Sequence, residues 1–162
     1  MQYKTCENTL LNPIVERINS FLTDDLLIEV SEEGSDECMH SMALSFHTSI
    51  IALCGGVNGW FIMSYDETIL NAIANKFVYG KIEENEKEDM IASVADEVTN
   101  IIIGNVLSYF VKDGLETKIT PPIGILNAEE ISNIKQRETI ARIVKTEYGK
   151  IFVAISADEI SF

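Results

Sequence analysis

The sequence predicts an α+β domain in which a mostly antiparallel sheet packs against long helices. Apolar residues recur at helical spacing in three segments, which predicts three helices. Short apolar runs bounded by glycine, proline and asparagine predict strands between and after them. The predicted order is helix, three strands and helix, followed by helix and up to three strands. This order suggests two pseudo-related halves, each a helix followed by an antiparallel meander, within a single domain spanning residues 1–162.

The first half opens with a helix that we expect to begin at Asn12, where Asn12 can cap the helix and Pro13 suits its first position. The apolar stripe of this helix is Ile14, Val15, Ile18, Phe21 and Leu22. Residues 26–30 then predict a strand, and residues 31–40 predict a polar, acidic loop.

Two apolar runs, residues 43–53 and 60–64, predict a pair of strands. The Asn-Gly pair at residues 58–59 predicts a hairpin between them, since both residue types tolerate positive φ. A second helix is expected to begin at Asp66 and to end at Gly80. Its apolar stripe is Ile69, Leu70, Ile73, Ala74 and Phe77.

The second half begins with a charged connector, residues 81–89. Asn85, with Glu88 three residues later, resembles a capping box and predicts the start of a long helix. This helix should run to about Asp113 and stop at Gly114.

The strands of the second half follow the long helix. The proline pair at residues 121–122 should interrupt any strand that begins near Leu115. Residues 128–136 predict a loop or a short helix. Residues 137–146 and 150–156 predict the last two strands.

Charge and hydropathy exclude several classes of function. The chain has 26 acidic and 12 basic residues, a net charge of −14, and no run of three basic residues. Nucleic acid and anionic membranes require a basic surface, so we expect no nucleic-acid partner and no membrane partner. The most apolar window, residues 49–63, is interrupted by glycines and is too short to cross a bilayer, and the first residues have no apolar signal core. These features predict a cytoplasmic protein.

The cysteines predict neither disulfides nor a metal site. Cys6, Cys38 and Cys54 are odd in number and lack CxxC spacing, which is typical of reduced thiols. Cys38, His40 and His47 supply too few ligands for a metal site, and part of the set lies in the acidic loop.

The long helix is apolar around most of its circumference, which predicts that it is largely buried. Its broad apolar face is Ile91, Val94, Ala95, Val98, Ile101, Ile102, Val106, Tyr109 and Phe110. The opposite side is a narrow strip of small or polar residues, Ser93, Glu97, Asn100, Gly104 and Ser108. Glu97 and Asn100 lie three residues apart and project side by side. Gly104, at a cost of about 1 kcal/mol in helix propensity, would let another protein surface approach closely.

A Glu-x-x-Asn pair is a weak motif by itself, because chance gives about one such pair in a chain of this composition. The chain contains three: Glu16 with Asn19, Glu97 with Asn100, and Glu130 with Asn133. Only the second lies in an apolar helix and continues as Ile-Ile-Ile-Gly-Asn. Its context therefore selects the pair Glu97 and Asn100.

Residues 96–105, DEVTNIIIGN, resemble the signature of the CheC/CheX/FliY phosphatases of bacterial chemotaxis, which reads roughly E-[apolar]-x-N-[apolar]2-x-G-[NH]. Other similarities are Asn12-Pro13, the segment from Gly59 to Met63 before a helix, the acidic connector and Thr120-Pro121-Pro122. The single well-placed motif and the length are most similar to CheX. The resemblance implies a CheC-like fold and a single CheX-like domain.

The resemblance also implies an activity and a partner. CheX-like proteins hydrolyse the aspartyl phosphate of a CheY-type receiver domain, which supplies Mg²⁺, so this chain would bind no cofactor itself. Asn100 would hold the attacking water, and Glu97 would form a salt bridge with the receiver's active-site lysine. Ser93, Gly104 and Ser108 would border the docking surface. Asn105 matches the motif, but it projects onto the apolar side, which predicts a buried structural amide.

Three hypotheses follow from the sequence. The first is a phosphatase of a phosphorylated response regulator that uses Asn100 and Glu97. The second is a non-catalytic CheX-like domain that binds a receiver or another signalling partner. The third is a structural subunit of the flagellar switch, as in FliY, against which the lack of an appended switch domain counts. CheX relatives are homodimers, so a homodimer is expected by resemblance.

Overall fold

The computed structural model describes residues 6–34, 37–39, 42–78, 83–110, 116–128, 130–131 and 139–157. Within them the chain forms three α-helices, which are α1 (Cys6–Ser20), α2 (Glu67–Phe77) and α3 (Lys87–Phe110). A π-helical turn, Phe21–Asp25, follows α1, and a 3-10 turn, Glu84–Glu86, leads into α3.

The same residues form ten strands. They are β1 (Val30–Glu33), β2 (Glu37–Met39), β3 (Met42–Ala43), β4 (His47–Gly55), β5 (Gly59–Tyr65), β6 (Thr117–Ile119), β7 (Ile123–Leu126), β8 (Glu130–Ile131), β9 (Thr139–Thr146) and β10 (Gly149–Ala157).

Eight of the described strands make one antiparallel sheet, whose main order is β1-β9-β10-β5-β4-β6. Strand β2 also pairs with β9, and β7 also pairs with β4, so two short strands lie end to end at each edge. Strands β3 and β8 form a separate pair. The predicted α+β class with a mostly antiparallel sheet is confirmed.

The three helices cover one face of the sheet, where alternate strand residues point toward them. On β4 these residues are His47, Ser49, Ile51 and Leu53, and all four are buried. Helix α1, from the first half of the chain, packs against β9 and β10, whereas α3, from the second half, packs against β4, β5 and β7. Helix α1 is therefore buried on strands of the second half and α3 mainly on strands of the first, and the two halves share one hydrophobic core.

The predicted start of the first helix at Asn12 is wrong, because α1 begins at Cys6 and contains Pro13 in its interior. Leu10 and Leu11 are buried one turn before Ile14 and extend the apolar stripe toward the N-terminus. Packing of this face outweighs the single helical hydrogen bond that the proline removes. The Asn12 side chain instead accepts a 2.7 Å hydrogen bond from Arg142.

The strand predicted at residues 26–30 is also wrong, because only Val30 belongs to a strand, β1. The segment before it leaves the π-helical turn, and the backbone N–H of Ile28 donates to the carbonyl of Leu22 at 2.7 Å. Leu27 adopts a φ of 56° and is exposed. Much of the predicted acidic loop, residues 31–40, forms edge strands β1 and β2 on β9.

The hairpin between β4 and β5 is confirmed, although its turn differs from the predicted one. The positive φ lies at Gly55, at 126°, and not at residues 58–59. Asn58 closes the turn with its side chain, which accepts from the Gly55 N–H and donates to the Gly55 carbonyl. A Cβ on residue 55 would lie 2.6 Å from the Glu116 carbonyl oxygen, so the approach also requires glycine.

Helix α2 follows Asp66 as predicted, but the Asp66 carboxylate does not cap it. It accepts hydrogen bonds from the Ser45 hydroxyl at 2.5 Å and from the Lys150 N–H at 2.9 Å. These bonds link the start of α2 to the segment before β4 and to β10. The capping box predicted at Asn85 is wrong, because Asn85 lies within the 3-10 turn and α3 begins at Lys87.

The remaining boundaries agree in part with the sequence. Strands β6 and β7 flank the proline pair at 121–122, and β9 and β10 form the predicted final hairpin. Residues 130–131 of the segment predicted as a loop or helix form the short strand β8. The helix stops predicted at Gly80 and Gly114 lie outside the described residues.

Candidate functional site on helix α3

Helix α3 is held to the sheet by one continuous apolar face. Its buried residues are Ile91, Val94, Ala95, Val98, Thr99, Ile102, Ile103, Val106 and Leu107. The predicted face is thus largely right, but Tyr109 is 70% exposed and Ile101 is only partly buried. Ile103 and Leu107 are buried instead of them. The buried residues of α3 recur as adjacent pairs about every four positions, and Ile103 and Leu107 are the second members of the last two pairs.

The strip of small and polar residues lies on the solvent side of α3. Ser93, Glu97 and Ser108 are exposed, and Asn100 and Gly104 are partly exposed. Five residues predicted as site residues therefore share one accessible side of a helix whose opposite side is fixed to the core. From Ser93 to Ser108 this strip extends roughly 22 Å at 1.5 Å per residue.

Within the part of the chain that the structure describes, the carboxylate of Glu97 and the amide of Asn100 have no hydrogen-bond or ion-pair partner. An ionised carboxylate offers only acceptors, whereas an amide offers both a donor group and an acceptor. Both side chains are therefore free to bind a partner or a water molecule.

Packing among the described residues does not require glycine at residue 104. A Cβ added there would meet none of their atoms within 4 Å, so this part of the structure tolerates a side chain. Ser108, one turn later, donates its hydroxyl to the Asn105 carbonyl at 2.7 Å. The predicted burial of Asn105 is wrong, because this residue is exposed.

Two side chains of α3 that sequence reasoning missed bind the sheet beside the strip. The Asp96 carboxylate accepts a 2.6 Å hydrogen bond from Ser49 Oγ and lies 3.2 Å from Nε2 of His47. Thr99 Oγ1 donates to the Ala95 carbonyl at 2.8 Å and lies 2.8 Å from the hydroxyl of Tyr65. One usable signal existed, since polar His47 and Ser49 lie on the same core face of β4 as the apolar Ile51 and Leu53.

The two contacts differ in their electrostatics. Burial by itself raises the pKa of Asp96, but the hydrogen bonds from His47 and Ser49 and the attraction of His47 outweigh it, so the pKa lies below its ordinary value of 3.8. Burial raises the pKa of Tyr65 well above its usual range, since the phenolate would be desolvated. Asp96 is therefore ionised at neutral pH, and Tyr65 is neutral.

The other candidate residues are not brought to this strip. Glu16 is exposed on α1, and Asn19 is partly buried there. The side chains of Glu130, Asn133, Cys38 and His40 lie outside the described residues. His47, the third residue of the unlikely metal set, is buried against Asp96.

The described ranges contain no cluster of metal ligands and one long apolar helical stretch. No group of three or more His, Cys, Asp or Glu side chains there could hold a metal ion. One helical stretch, Glu84–Tyr109, is long and apolar enough to cross a membrane by length and composition. Half of its most apolar window is buried inside the protein, as expected for a core helix.

Helix α3 and strands β4 and β5 of the sheet fall within one family match. The family described as chemotaxis phosphatase CheX matches residues 47–144, which run from the start of β4 into β9 and include all of α3. The chain belongs to the CheX family. A search of the curated proteins gives no match.

Solved CheX-like structures share this fold. A chemotaxis protein CheX from Desulfovibrio desulfuricans is 18% identical, with a TM-score of 0.79, and the match covers 93% of this chain and 99% of that one. A CheC-like superfamily protein from Shewanella sp. PV-4 is 20% identical, with a TM-score of 0.78 and coverage of 92% and 97%. CheX from Borrelia burgdorferi, solved as a CheX-CheY-BeF3-Mg²⁺ complex, is 28% identical, with a TM-score of 0.72 and coverage of 93% and 98%.

Proposed function

We propose that this chain is a phosphatase that hydrolyses the aspartyl phosphate of a CheY-type receiver domain. The observation that carries the proposal is the pair of unpartnered side chains, Glu97 and Asn100, on the accessible strip of α3 in a CheX-family chain. The Borrelia relative crystallised with CheY supports a receiver as the partner. The proposed docking surface is the strip formed by Ser93, Glu97, Asn100, Gly104 and Ser108.

In the proposed reaction, water attacks phosphorus while the bond from phosphorus to the receiver's aspartyl oxygen breaks. The products are inorganic phosphate and a free aspartate carboxylate. An acyl phosphate already has a good leaving group, so the main remaining task is to place the water in line. The Asn100 amide can do this by accepting one hydrogen bond from water or donating one to it, without removing a proton.

Glu97 would act as a docking group rather than as a general base. A carboxylate on the same helix face as Asn100 suits a lysine of the receiver, because the ammonium group is a compact cation on a flexible stem. Such a pair would fix the angle at which Asn100 enters the receiver. Mg²⁺ is expected in the receiver, where it would neutralise phosphate charge, and this chain is expected to hold no cofactor of its own.

Gly104 supports a docking role for the strip. Contacts among the described residues do not explain its lack of a side chain, and glycine in a helix interior costs about 1 kcal/mol relative to alanine. A partner surface that lies flat on α3 would account for it. By the same family likeness we expect a homodimer located in the cytoplasm.

The test is the decay of a phosphorylated receiver. A receiver encoded near this gene would be phosphorylated with a small phosphodonor, and loss of phosphate would be followed with wild type and with Asn100→Ala. Asn75→Ala is the matched control, since Asn75 is an exposed asparagine on α2. Acceleration by wild type and Asn75→Ala, but not by Asn100→Ala, supports the proposal. Binding without acceleration by any of them would favour the alternative, a non-catalytic CheX-like domain.

A further inference from the structure

The side chain of Asp96, on α3, forms hydrogen bonds with two residues of strand β4. Asp96 precedes Glu97 and lies one helical turn before Asn100. Its Oδ1 accepts from Ser49 Oγ at 2.6 Å and lies 3.2 Å from Nε2 of His47. Because an ionised carboxylate can only accept, His47 donates from Nε2. Ser49 is fully buried and the His47 side chain is 3% exposed, so neither can contact a docked protein.

A third element borders this carboxylate. Strand β7 passes Asp96 at Gly124, where an added Cβ would lie 2.8 and 2.9 Å from the two carboxylate oxygens and 3.0 Å from Cε1 of His47. A side chain at residue 124 would therefore displace the Asp96 carboxylate from its present position. Asp96, whose side chain is 27% exposed, is thus bordered by two strands as well as by its own helix.

The contacts fix the rotation of α3 about its own axis. With side chains, a helix has a radius of about 5–6 Å, so a rotation of roughly 10° moves a surface group by about 1 Å. The apolar face alone tolerates such a rotation better than directed hydrogen bonds do, because hydrophobic contacts are not directional. Asp96 and the buried Thr99 directly precede Glu97 and Asn100, so each of these two strip residues follows a residue that contacts the sheet through a polar side chain.

We propose that Asp96, held by His47 and Ser49, is a positioning residue that sets the direction of Glu97 and Asn100 on the docking surface. This inference rests on the proposed phosphatase function. A partly buried carboxylate with polar partners contributes little net stability compared with apolar residues of similar size. Its contribution is to select one orientation of the helix, and through it the place of the Asn100 amide.

The experiment compares four variants in the receiver assay, with kcat and KM measured separately. Asp96→Ala should lower kcat by about tenfold or more, since a misplacement of about 1 Å can cost about 100-fold. KM should rise by a smaller factor, because the flexible lysine that pairs with Glu97 can follow a small shift of that residue. Asp96→Asn should retain most of the activity, because its amide oxygen can accept the same two hydrogen bonds. Ser49→Ala should fall between them. Asp89→Ala, an exposed aspartate in the first turn of the same helix, should behave as wild type.

A direct probe separates positioning from general destabilisation. The NMR signal of the Asn100 side-chain amide should shift in Asp96→Ala and stay in place in Asp89→Ala. A wild-type kcat for folded Asp96→Ala, or a raised KM with unchanged kcat, would overturn the inference.

The outcome also distinguishes this inference from the proposed function. If wild type does not accelerate dephosphorylation, the proposed function fails, and the NMR signal alone decides whether Asp96 sets the direction of Asn100. An amide signal that does not respond to Asp96→Ala would then overturn the positioning role.

Discussion

The hydroxyl of Tyr65 lies 2.8 Å from Oγ1 of Thr99, so strand β5 holds helix α3 one residue before Asn100. Both residues are completely buried, and the same hydroxyl lies 3.4 Å from the carbonyl of Ala95. The contact joins the central sheet to the helix that displays the proposed site. It makes the position of Asn100 depend on core packing as well as on the helix itself.

Replacing Tyr65 with phenylalanine should destabilise the fold by about 1 kcal/mol, the usual net value of one buried hydrogen bond. Thr99 keeps its bond to the Ala95 carbonyl in this variant, so no buried donor is left unpaired. Urea unfolding of wild type and Tyr65→Phe would measure the difference. Tyr148→Phe is the control, because Tyr148 is exposed. Equal losses in both variants would contradict the account.

The contribution of Asp96 to stability should depend on pH in a defined direction. Its pKa in the folded state lies below the ordinary value of 3.8, so the unfolded chain binds the proton more readily as pH falls. The stabilisation is therefore present above that value and is lost as pH falls through the folded pKa. Unfolding free energies of wild type and Asp96→Asn, compared from neutral pH downward, should converge below about pH 4. A difference that is constant across this range would contradict the assigned pKa direction.

Substitutions of Gly104 should affect the stability of the fold and the docking of the receiver differently. Gly104→Ala should raise the unfolding free energy by up to about 1 kcal/mol, because the Cβ meets open space and alanine favours the helix. Gly104→Gln should also fold, but it should raise KM for the phosphorylated receiver, since its side chain would stand between the two surfaces. Glu88→Gln, exposed in the first turn of α3, is the control. A Gly104→Gln variant with wild-type KM would remove Gly104 from the docking surface.

Glu97 should control binding of the receiver more than the chemical step. Glu97→Gln should raise KM by about tenfold, because the receiver's lysine would lose its charged partner, and kcat should change less. The effect should shrink as salt is added, since salt screens an exposed ion pair. Kinetics at low and high ionic strength would measure both. A fall in kcat at constant KM would instead indicate that Glu97 takes part in the chemistry.

Much of the fold could be predicted from the sequence, because its periodic segments are long and the glycine and proline residues that interrupt them act on neighbouring residues. The apolar period of α3 and the glycine and proline residues around β4, β5, β6 and β7 are local signals, and the structure follows them. The start of α1 could not be read locally, since burial of Leu10 and Leu11 decides it against the proline signal. The positive φ of Leu27 likewise follows from the end of the π-helical turn and not from its residue type.

Helical spacing predicted the strip of the candidate site, but it could not predict which residues hold α3 to the sheet. Glu97 and Asn100 are separated by three positions on one helix, which fixes their relation. His47 and Asp96 are 49 positions apart, and Tyr65 and Thr99 are 34 apart, so their pairing depends on how the sheet meets the helix. The exposure of Asn105 and Tyr109 also depends on which side of α3 the core covers.

In the proposed mechanism, Asn100 accelerates hydrolysis without being needed for docking. The most direct measurement follows single-turnover phosphate loss from a phosphorylated receiver and, in parallel, the Kd of the same receiver for wild type and Asn100→Ala. We predict that Asn100→Ala binds with nearly the wild-type Kd and leaves the receiver's own decay rate unchanged. An Asn100→Ala protein that binds normally and still accelerates phosphate loss as wild type does would contradict the account.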